Sequence, residues 1–520
     1  MLKVTINGQV YEAAKGKTII QVADDIGVQI PRYCYHPDIG IEGSCRMCLV
    51  EVKSAPKLLP ACATPVTENM DVRTDTQRVH EAVQDYYMAH AGHDSRYPLG
   101  QKTRRRKAFN LGPLVKLDQE RCILCTRCVR FTRHVTKTNE IQVFNRAHNS
   151  EIGIFEDRPL NNPYSGNVVD VCPVGALTSA DFRFKARVWF LKGTDSVCAG
   201  CSTGCNLRID HTARAAGGGI PGYTATDGKI YRTVGRRNVE VNKSWLCDEG
   251  RLSFHTLERW PRLRQASVRG KQQPVSALLP VIHANFESVR SDHGDDAVAA
   301  LASATNTNEG LFLMKKYFKG RLDFRLGREV EQYQQQQDEL LRRYDKHPNT
   351  HGALDLGLAG GLGGLRRLRD LAEKKEVRGM WISFHPQLVG EDAPEIIEDL
   401  KRLIEALEWS VVCTTHDFGW AHEADFLLPM AAWAEEKGTY TNYAGRVQIA
   451  NRAVMPAGDA EPLHVLMAEL LNLSGVEVPT DPAAIFEWIA SEVPGYGGLD
   501  YDAIGPSGAA VAPVPEEVLR

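Results

Sequence analysis

Twelve of the thirteen cysteines lie before residue 250, in three groups of four, and that clustering limits what the chain can fold around. A disulfide scaffold of 520 residues would need more cysteines and would scatter them. Thiols at short fixed intervals in a reducing compartment read instead as metal ligands. The thirteenth, Cys413, follows Val411 and Val412 at the end of an apolar run and reads as a buried, inert thiol.

The first set is Cys34, Cys45, Cys48 and Cys62, with gaps of ten, two and thirteen residues. Two irons bridged by two sulfides need two thiolates each, and a long loop can wrap the cluster edge. Gly40, Gly43 and Ser44 are small enough to let backbone N–H groups approach the sulfides. A zinc knuckle would show paired C-x2-C units, and only one is present, so the set predicts [2Fe–2S]. The second set is Cys122, Cys125 and Cys128, closed far downstream by Cys172 and Pro173. Three thiolates within seven residues and a distant Cys-Pro match the bacterial ferredoxin order, which predicts [4Fe–4S]. The third set, Cys198, Cys201, Cys205 and Cys247, follows the same cubane logic with looser spacing. A four-cysteine zinc site stays open there as the alternative to a second [4Fe–4S].

The length argues for several domains. A net charge of −3 gives no reason to expect nucleic acid or an anionic membrane surface. No apolar run reaches the roughly 18–20 residues of a membrane span, and the start, MLKVTINGQV, lacks the features of a signal peptide. The expectation is a cytoplasmic protein, with any membrane link made through partners.

Asn7-Gly8 between alternating strands predicts a hairpin, 18–26 a helix and 49–52 a strand. This is the β-grasp outline of plant-type ferredoxins. A helical piece around Val83, Tyr86 and Tyr87 leads to a basic stretch, Lys102 and Arg104 to Lys107, read as a solvated loop or a rim contact. Beyond residue 256, helices alternate with apolar strands at 379–382 and 409–412, which argues α/β layers. The glycine-rich stretch 352–364 reads as a loop before a helix at 365–374, a phosphate cradle being the lesser reading. The tail from Pro494 is expected to fray. The division that results is 1–78, 79–117, 118–187, 188–255 and 256–520.

Several segments carry a family likeness. These are 121–128 (Arg-Cys-Ile-Leu-Cys-Thr-Arg-Cys), 162–177 (Asn-Pro-Tyr-Ser-Gly-Asn through Cys-Pro-Val-Gly-Ala-Leu) and 181–187 (Asp-Phe-Arg-Phe-Lys-Ala-Arg). Along nearly its whole length the chain resembles the large iron–sulfur subunit of bacterial complex I, the 75-kDa subunit of mitochondria. The stretch 197–206 with 245–250 is similar to the cluster domain that opens molybdopterin oxidoreductases, and 424–429, 436–442 and 445–448 to later parts of that fold. The resemblance implies an α+β multidomain chain: a β-grasp [2Fe–2S] domain, a [4Fe–4S] ferredoxin-like domain, then a molybdopterin-oxidoreductase-like α/β region. It implies an electron-relay subunit of NADH:quinone oxidoreductase with no substrate site of its own. The expected cofactors are one [2Fe–2S] and two [4Fe–4S]. Expected partners are the flavin/NADH-binding subunit and other peripheral-arm subunits, at the cytoplasmic face of the inner membrane. The alternative is a diaphorase-side electron-transfer subunit of an NAD-linked hydrogenase or formate dehydrogenase.

Two departures qualify the likeness. Family members place a His-x3-Cys-x2-Cys-x5-Cys site between the first two sets, whereas here His90 is followed by Asp94 in the first cysteine position and by no cysteine before Cys122. That cluster is expected to be absent. The last region is shorter than a full molybdopterin domain and offers no early cysteine for molybdenum, so no molybdopterin is expected.

Overall fold

A computed structural model describes residues 1–90, 104–212, 228–325, 337–358, 364–385 and 394–511. The chain divides into two compact units, Met1–Arg183 and Phe184–Arg520.

The first unit begins as the sequence predicts. Leu2–Ile6 and Gln9–Ala13 pair antiparallel, and Asn7 and Gly8 take φ of 51° and 86°. A two-residue turn with positive φ at both centres matches the twist of the flanking strands. Leu2–Ile6 also pairs in parallel with Met70–Arg73, and the five-stranded sheet continues through Leu49–Val52 to Leu59–Pro60. The helix Ile19–Asp25 buries Ile19, Ile20, Val22 and Ala23 in one core with Val4, Ile6, Val50 and Val72. Cys48 and Cys62 belong to that same core, so sheet packing and ligand placement are inseparable here.

A three-stranded sheet, in the order Leu177–Ser179, Val115–Leu117, Phe109–Asn110, supports the second cysteine set. The basic stretch is tied down in its described part. Arg105 donates to the Ser150 and His148 carbonyls at 2.6 and 3.1 Å, and Lys107 pairs with Glu120 at 2.7 Å. The segment after His90 that the resemblance makes a lost cluster site lies outside the described residues, as does the His90 side chain.

The second unit opens with an antiparallel sheet of Lys192–Val197, Asn206–His211 and Ile230–Gly235. A seven-stranded sheet follows, parallel through Leu322–Asp323, Val298–Leu301, Gly379–Phe384, Trp409–Thr414 and Phe426–Pro429, with an antiparallel edge. Successive residues of its central strands face opposite layers. Trp381, Val411 and Cys413 join the helices Val275–His293, Asn308–Tyr317 and Leu463–Leu473. Met380, Ile382 and Val412 join Gly364–Glu373 and Pro394–Ala406. A sheet covered on both faces needs apolar residues at every position, which explains the unbroken apolar runs.

Two expectations are corrected. The glycine-rich stretch is not all loop, since Thr350–Asp355 is helical. Gly352 stands there because a Cβ would lie 2.1 Å from Asn308 Oδ1 and 2.3 Å from Asn349 Oδ1; it serves close packing rather than a phosphate. Residues 359–363 lie outside the described part. The tail does not fray before Val511. Tyr496 is fully buried and shares hydrogen bonds with Thr441 (2.6 Å) and Asp355 (2.9 Å). Ala509–Ala510 pairs with Arg446–Ala450. One large aromatic at the root of the tail outweighs its glycine and proline content.

Candidate metal centres

In the first set Cys34, Cys48 and Cys62 are buried and Cys45 is half-buried. The long gap folds back on itself, with Gly40 and Gly43 at φ of 96° and 72° and open space where a side chain would stand. These glycines are needed for backbone conformation. The Cys34 amide reaches Cys45 Sγ at 3.4 Å. Burial alone would raise the Cys34 thiol, but hydrogen bonds from Cys45 and Ser44 outweigh it and hold the group below its ordinary value. Burial and the neighbouring Cys48 push Cys62 up to about 12.

The second set winds around a tight loop. Leu124 and Thr126 adopt left-handed φ of 55° and 58° between the cysteines, which turns successive amides inward as in an anion-binding nest. Leu124 N lies 3.4 Å from Cys122 Sγ. Cys172 follows the helix Asn167–Val171 as its C-cap. All four cysteines line one pocket, whose apolar wall includes Leu117, Ile152, Val174 and Leu177. Burial raises the thiols of Cys122, Cys125 and, most of all, Cys128.

The third set closes a strand-to-strand loop. Cys198 follows the first strand of its sheet, and its amide donates to the Cys205 carbonyl at 2.8 Å. Cys247 caps the helix Asp248–Leu252, its sulfur accepting from Gly250 N at 3.3 Å, and Gly200 N reaches Cys198 Sγ at 3.4 Å. A Cβ on Gly250 would stand 3.0 Å from Cys198 Sγ and 3.4 Å from Cys247 Sγ, so those two thiols converge on one point. Burial lifts Cys198 and Cys205 far up and Cys247 to about 12.

Buried thiols raised in this way ionise only when a cation replaces their protons. Four thiolates together, with N–H groups aimed at sulfur, fit iron–sulfur ligation. Among the described residues, no three of His, Cys, Asp or Glu are placed to hold one metal ion. A cluster gives thiolates to separate irons and needs no such convergence. Cys413 sits in the middle layer of the large sheet, buried and raised, as the inert reading expects.

What the sequence reading missed is a pair of arginines. Arg127 and Arg130 flank Cys128 in the helix Arg127–Arg130. Arg127 donates to the carbonyls of Val171 (3.1 Å) and Tyr35 (2.6 Å). Arg130 donates to Gly40 O at 2.9 Å and to Cys34 O, and pairs with Glu42 at 3.4 Å. The Arg-x-x-Arg spacing was visible, but its partners in the first set lie some ninety positions upstream.

Family models describe this assembly piece by piece. Residues 1–77 match the 2Fe-2S iron-sulfur cluster binding domain, and 112–178 match the ferredoxin-like domain of NADH-quinone oxidoreductase subunit 3. Residues 191–258 match the molybdopterin oxidoreductase Fe4S4 domain, and 343–472 match molybdopterin oxidoreductase. The chain is therefore a multidomain iron–sulfur protein with 2Fe–2S- and 4Fe–4S-type domains ahead of a molybdopterin-oxidoreductase-like region. More particularly, it is similar to the iron–sulfur subunits of NADH:quinone oxidoreductases, the 75-kDa subunit among them. The mitochondrial NADH dehydrogenase [ubiquinone] iron-sulfur protein 1 of Solanum tuberosum is 35% identical over 52% of this chain and 38% of its own length. The NADH-ubiquinone oxidoreductase 75 kDa subunit of Reclinomonas americana is 35% identical over 50% of this chain and 39% of its own. An NADH-quinone oxidoreductase subunit of Rickettsia conorii aligns over 92% of this chain and 89% of its own length, at 26% identity. Apart from that alignment, the chain spans less than half the length of these curated relatives. A likeness to a solved NAD+-reducing [NiFe]-hydrogenase chain, TM-score 0.29 at 22% identity, covers 36% of this chain and 91% of that one, and is too slight to bear on fold or function.

Proposed function

We propose that this chain is an electron-relay subunit of an NADH:quinone oxidoreductase, carrying electrons from an NADH/flavin module toward quinone, with no substrate site of its own. In this reading Cys34, Cys45, Cys48 and Cys62 hold a [2Fe–2S]. Cys122, Cys125, Cys128 and Cys172 hold one [4Fe–4S], and Cys198, Cys201, Cys205 and Cys247 hold the other. A cluster held at each set would supply one-electron uptake and release without further chemistry. The chain's own residues supply the rest. Thiolates fix the charge, amides of Cys34, Leu124, Gly200 and Gly250 stabilise the sulfurs, and the apolar walls keep water away. The partners in this reading are the flavin/NADH-binding subunit and other peripheral-arm subunits, at the cytoplasmic face of the inner membrane. The domain division 1–78, 79–117, 118–187, 188–255 and 256–520 belongs to the same proposal, with the last part holding no molybdopterin.

The observation that carries this reading is the gathering of buried and half-buried cysteines into three four-thiol groups with amides directed at their sulfurs. Low-temperature EPR of the anaerobically reduced protein, with iron counting, tests it. The expected result is one binuclear and two cubane signals and about ten irons per chain. Zinc at the thiols would overturn the relay, stoichiometric molybdenum with pterin would overturn the empty final region, and a third cubane would refute the loss of the His/Cys site.

A further inference from the structure

Arg127 is buried, at 9% exposure. One arm of its guanidinium holds the carbonyl of Tyr35, the residue after Cys34, and the other holds the carbonyl of Val171, the residue before Cys172. In sequence it stands between Cys125 and Cys128. A single side chain therefore ties the first cysteine set to the second from inside the first compact unit.

Its charge is placed as unusually as its hydrogen bonds. Arg130, three residues on, reaches the carboxylate of Glu42. Arg127 pairs with no carboxylate among the described residues, and its Nε has no hydrogen-bond partner. A buried cation without a counter-ion is costly, by several kcal/mol in general. Arg130 and Arg32 add further positive charge beside it, and the groups that act on it in the opposite sense are the thiols of Cys125 and Cys34. One comes from each set.

Resting on the cluster assignment above, we propose that Arg127 is a positioning residue shared by the two sites, clamping the Cys34 loop to the Cys172 turn and setting one positive charge that favours the reduced form of both. The clamp fixes the separation of the two sites, and electron tunnelling weakens steeply with distance. The charge acts on both because an added electron at either site increases the negative charge facing the guanidinium. Its carbonyl partners are neutral, so they leave that charge uncancelled.

The test is an anaerobic redox titration followed by EPR on the full chain with its clusters in place, comparing Arg127→Gln, Arg127→Lys and Arg133→Gln. Arg133 is exposed and close in sequence, so its removal controls for loss of one screened charge. Arg127→Gln is expected to disfavour reduction of the binuclear cluster and of the Cys122-set cubane about tenfold each, ~59 mV for one electron. Arg133→Gln is expected to move neither. Arg127→Lys keeps the charge but not the two-armed grip, so both potentials hold while the magnetic interaction between the two clusters weakens. Unmoved potentials in Arg127→Gln, or equal shifts in Arg133→Gln, would overturn the shared charge. Should Arg127→Gln not fold, an undiminished magnetic interaction in Arg127→Lys would overturn the clamp. Failure of the cluster assignment itself looks different, because the unaltered protein would then give no binuclear or cubane signals.

Discussion

Two glycines beside one sulfur give the sharpest test of the third site. Gly250 and Gly200 both donate an amide to a ligand-set cysteine. Their unused Cβ positions differ: 3.0 Å from Cys198 Sγ at Gly250, against 3.5 Å at Gly200. Comfortable contact between heavy atoms falls at about 3.5–4.0 Å. Gly200→Ala therefore adds an ordinary contact, while Gly250→Ala must displace the Cys198 sulfur or the helix Asp248–Leu252 by a few tenths of an ångström. Overpacking of this kind costs about 1–3 kcal/mol. Alanine's better helix propensity returns about 1 kcal/mol at Gly250, so global stability alone separates the two variants poorly. The site is less forgiving, since metal–ligand distances tolerate only about 0.2 Å. The displaced sulfur should weaken iron retention by about 5- to 150-fold, the equivalent of about 1–3 kcal/mol. On the proposed cluster assignment, the assay is anaerobic chelator competition with iron counting, following loss of the cubane signal. Gly200→Ala should retain iron like the unaltered chain, and Gly250→Ala should release it far more readily. Equal retention in the two variants would refute the reasoning that Gly250 exists to make room for Cys198.

Three further outcomes follow from the second unit. Glu309 is fully buried, and burial raises its carboxyl to about 7 even though Thr439 and Tyr501 donate to it. Its folded form binds the proton more tightly than the unfolded one, so this contribution to stability is whole below about pH 4.5 and is lost as pH rises toward 7. Glu309→Gln should flatten that decline, roughly 3 kcal/mol in total, in denaturant titrations across the range; an unchanged slope would contradict it. Arg262 holds the buried Glu435 with two bonds of 2.7 and 2.6 Å, so Arg262→Met should cost about 3–5 kcal/mol by leaving that carboxylate unpaired. Denaturation midpoints measure it, and a loss under about 1 kcal/mol would count against the buried pair. Cys413 should resist alkylation in the native protein and react only on unfolding, while Cys413→Ala leaves iron content unchanged; native labelling followed by mass spectrometry checks it.

Much of this architecture could be read from the sequence because its signals are local. Asn7-Gly8 dictates its turn within two residues, Thr18 and Gln21 open their helix within one turn, and the apolar runs at 379–384 and 409–414 announce a doubly covered sheet. Each cysteine set is likewise legible from gaps counted along the chain. The failures are of another kind. Gly352 looked like a loop glycine because nothing nearby in sequence tells that Asn308 and Asn349 crowd it. The tail looked mobile by composition, and a single aromatic, Tyr496, anchors it to residues 141 and 55 positions upstream.

The same limit explains why the arginines escaped notice, and what they add. Ligand spacing states which four thiols can share a core, and says nothing about how one core stands against another. That second relation is carried by contacts spanning 92 and 96 positions, from Arg127 to Tyr35 and from Arg130 to Cys34. Such contacts are made by hydrogen bonds to carbonyls, for which any residue type can serve as acceptor, so they leave no mark at the receiving end of the sequence. The donor end is constrained instead. Only a planar fork with several N–H groups can hold two carbonyls while remaining charged, which makes the arginines beside Cys128, rather than the loop they grip, the place where the placement of one cysteine set against the other is written.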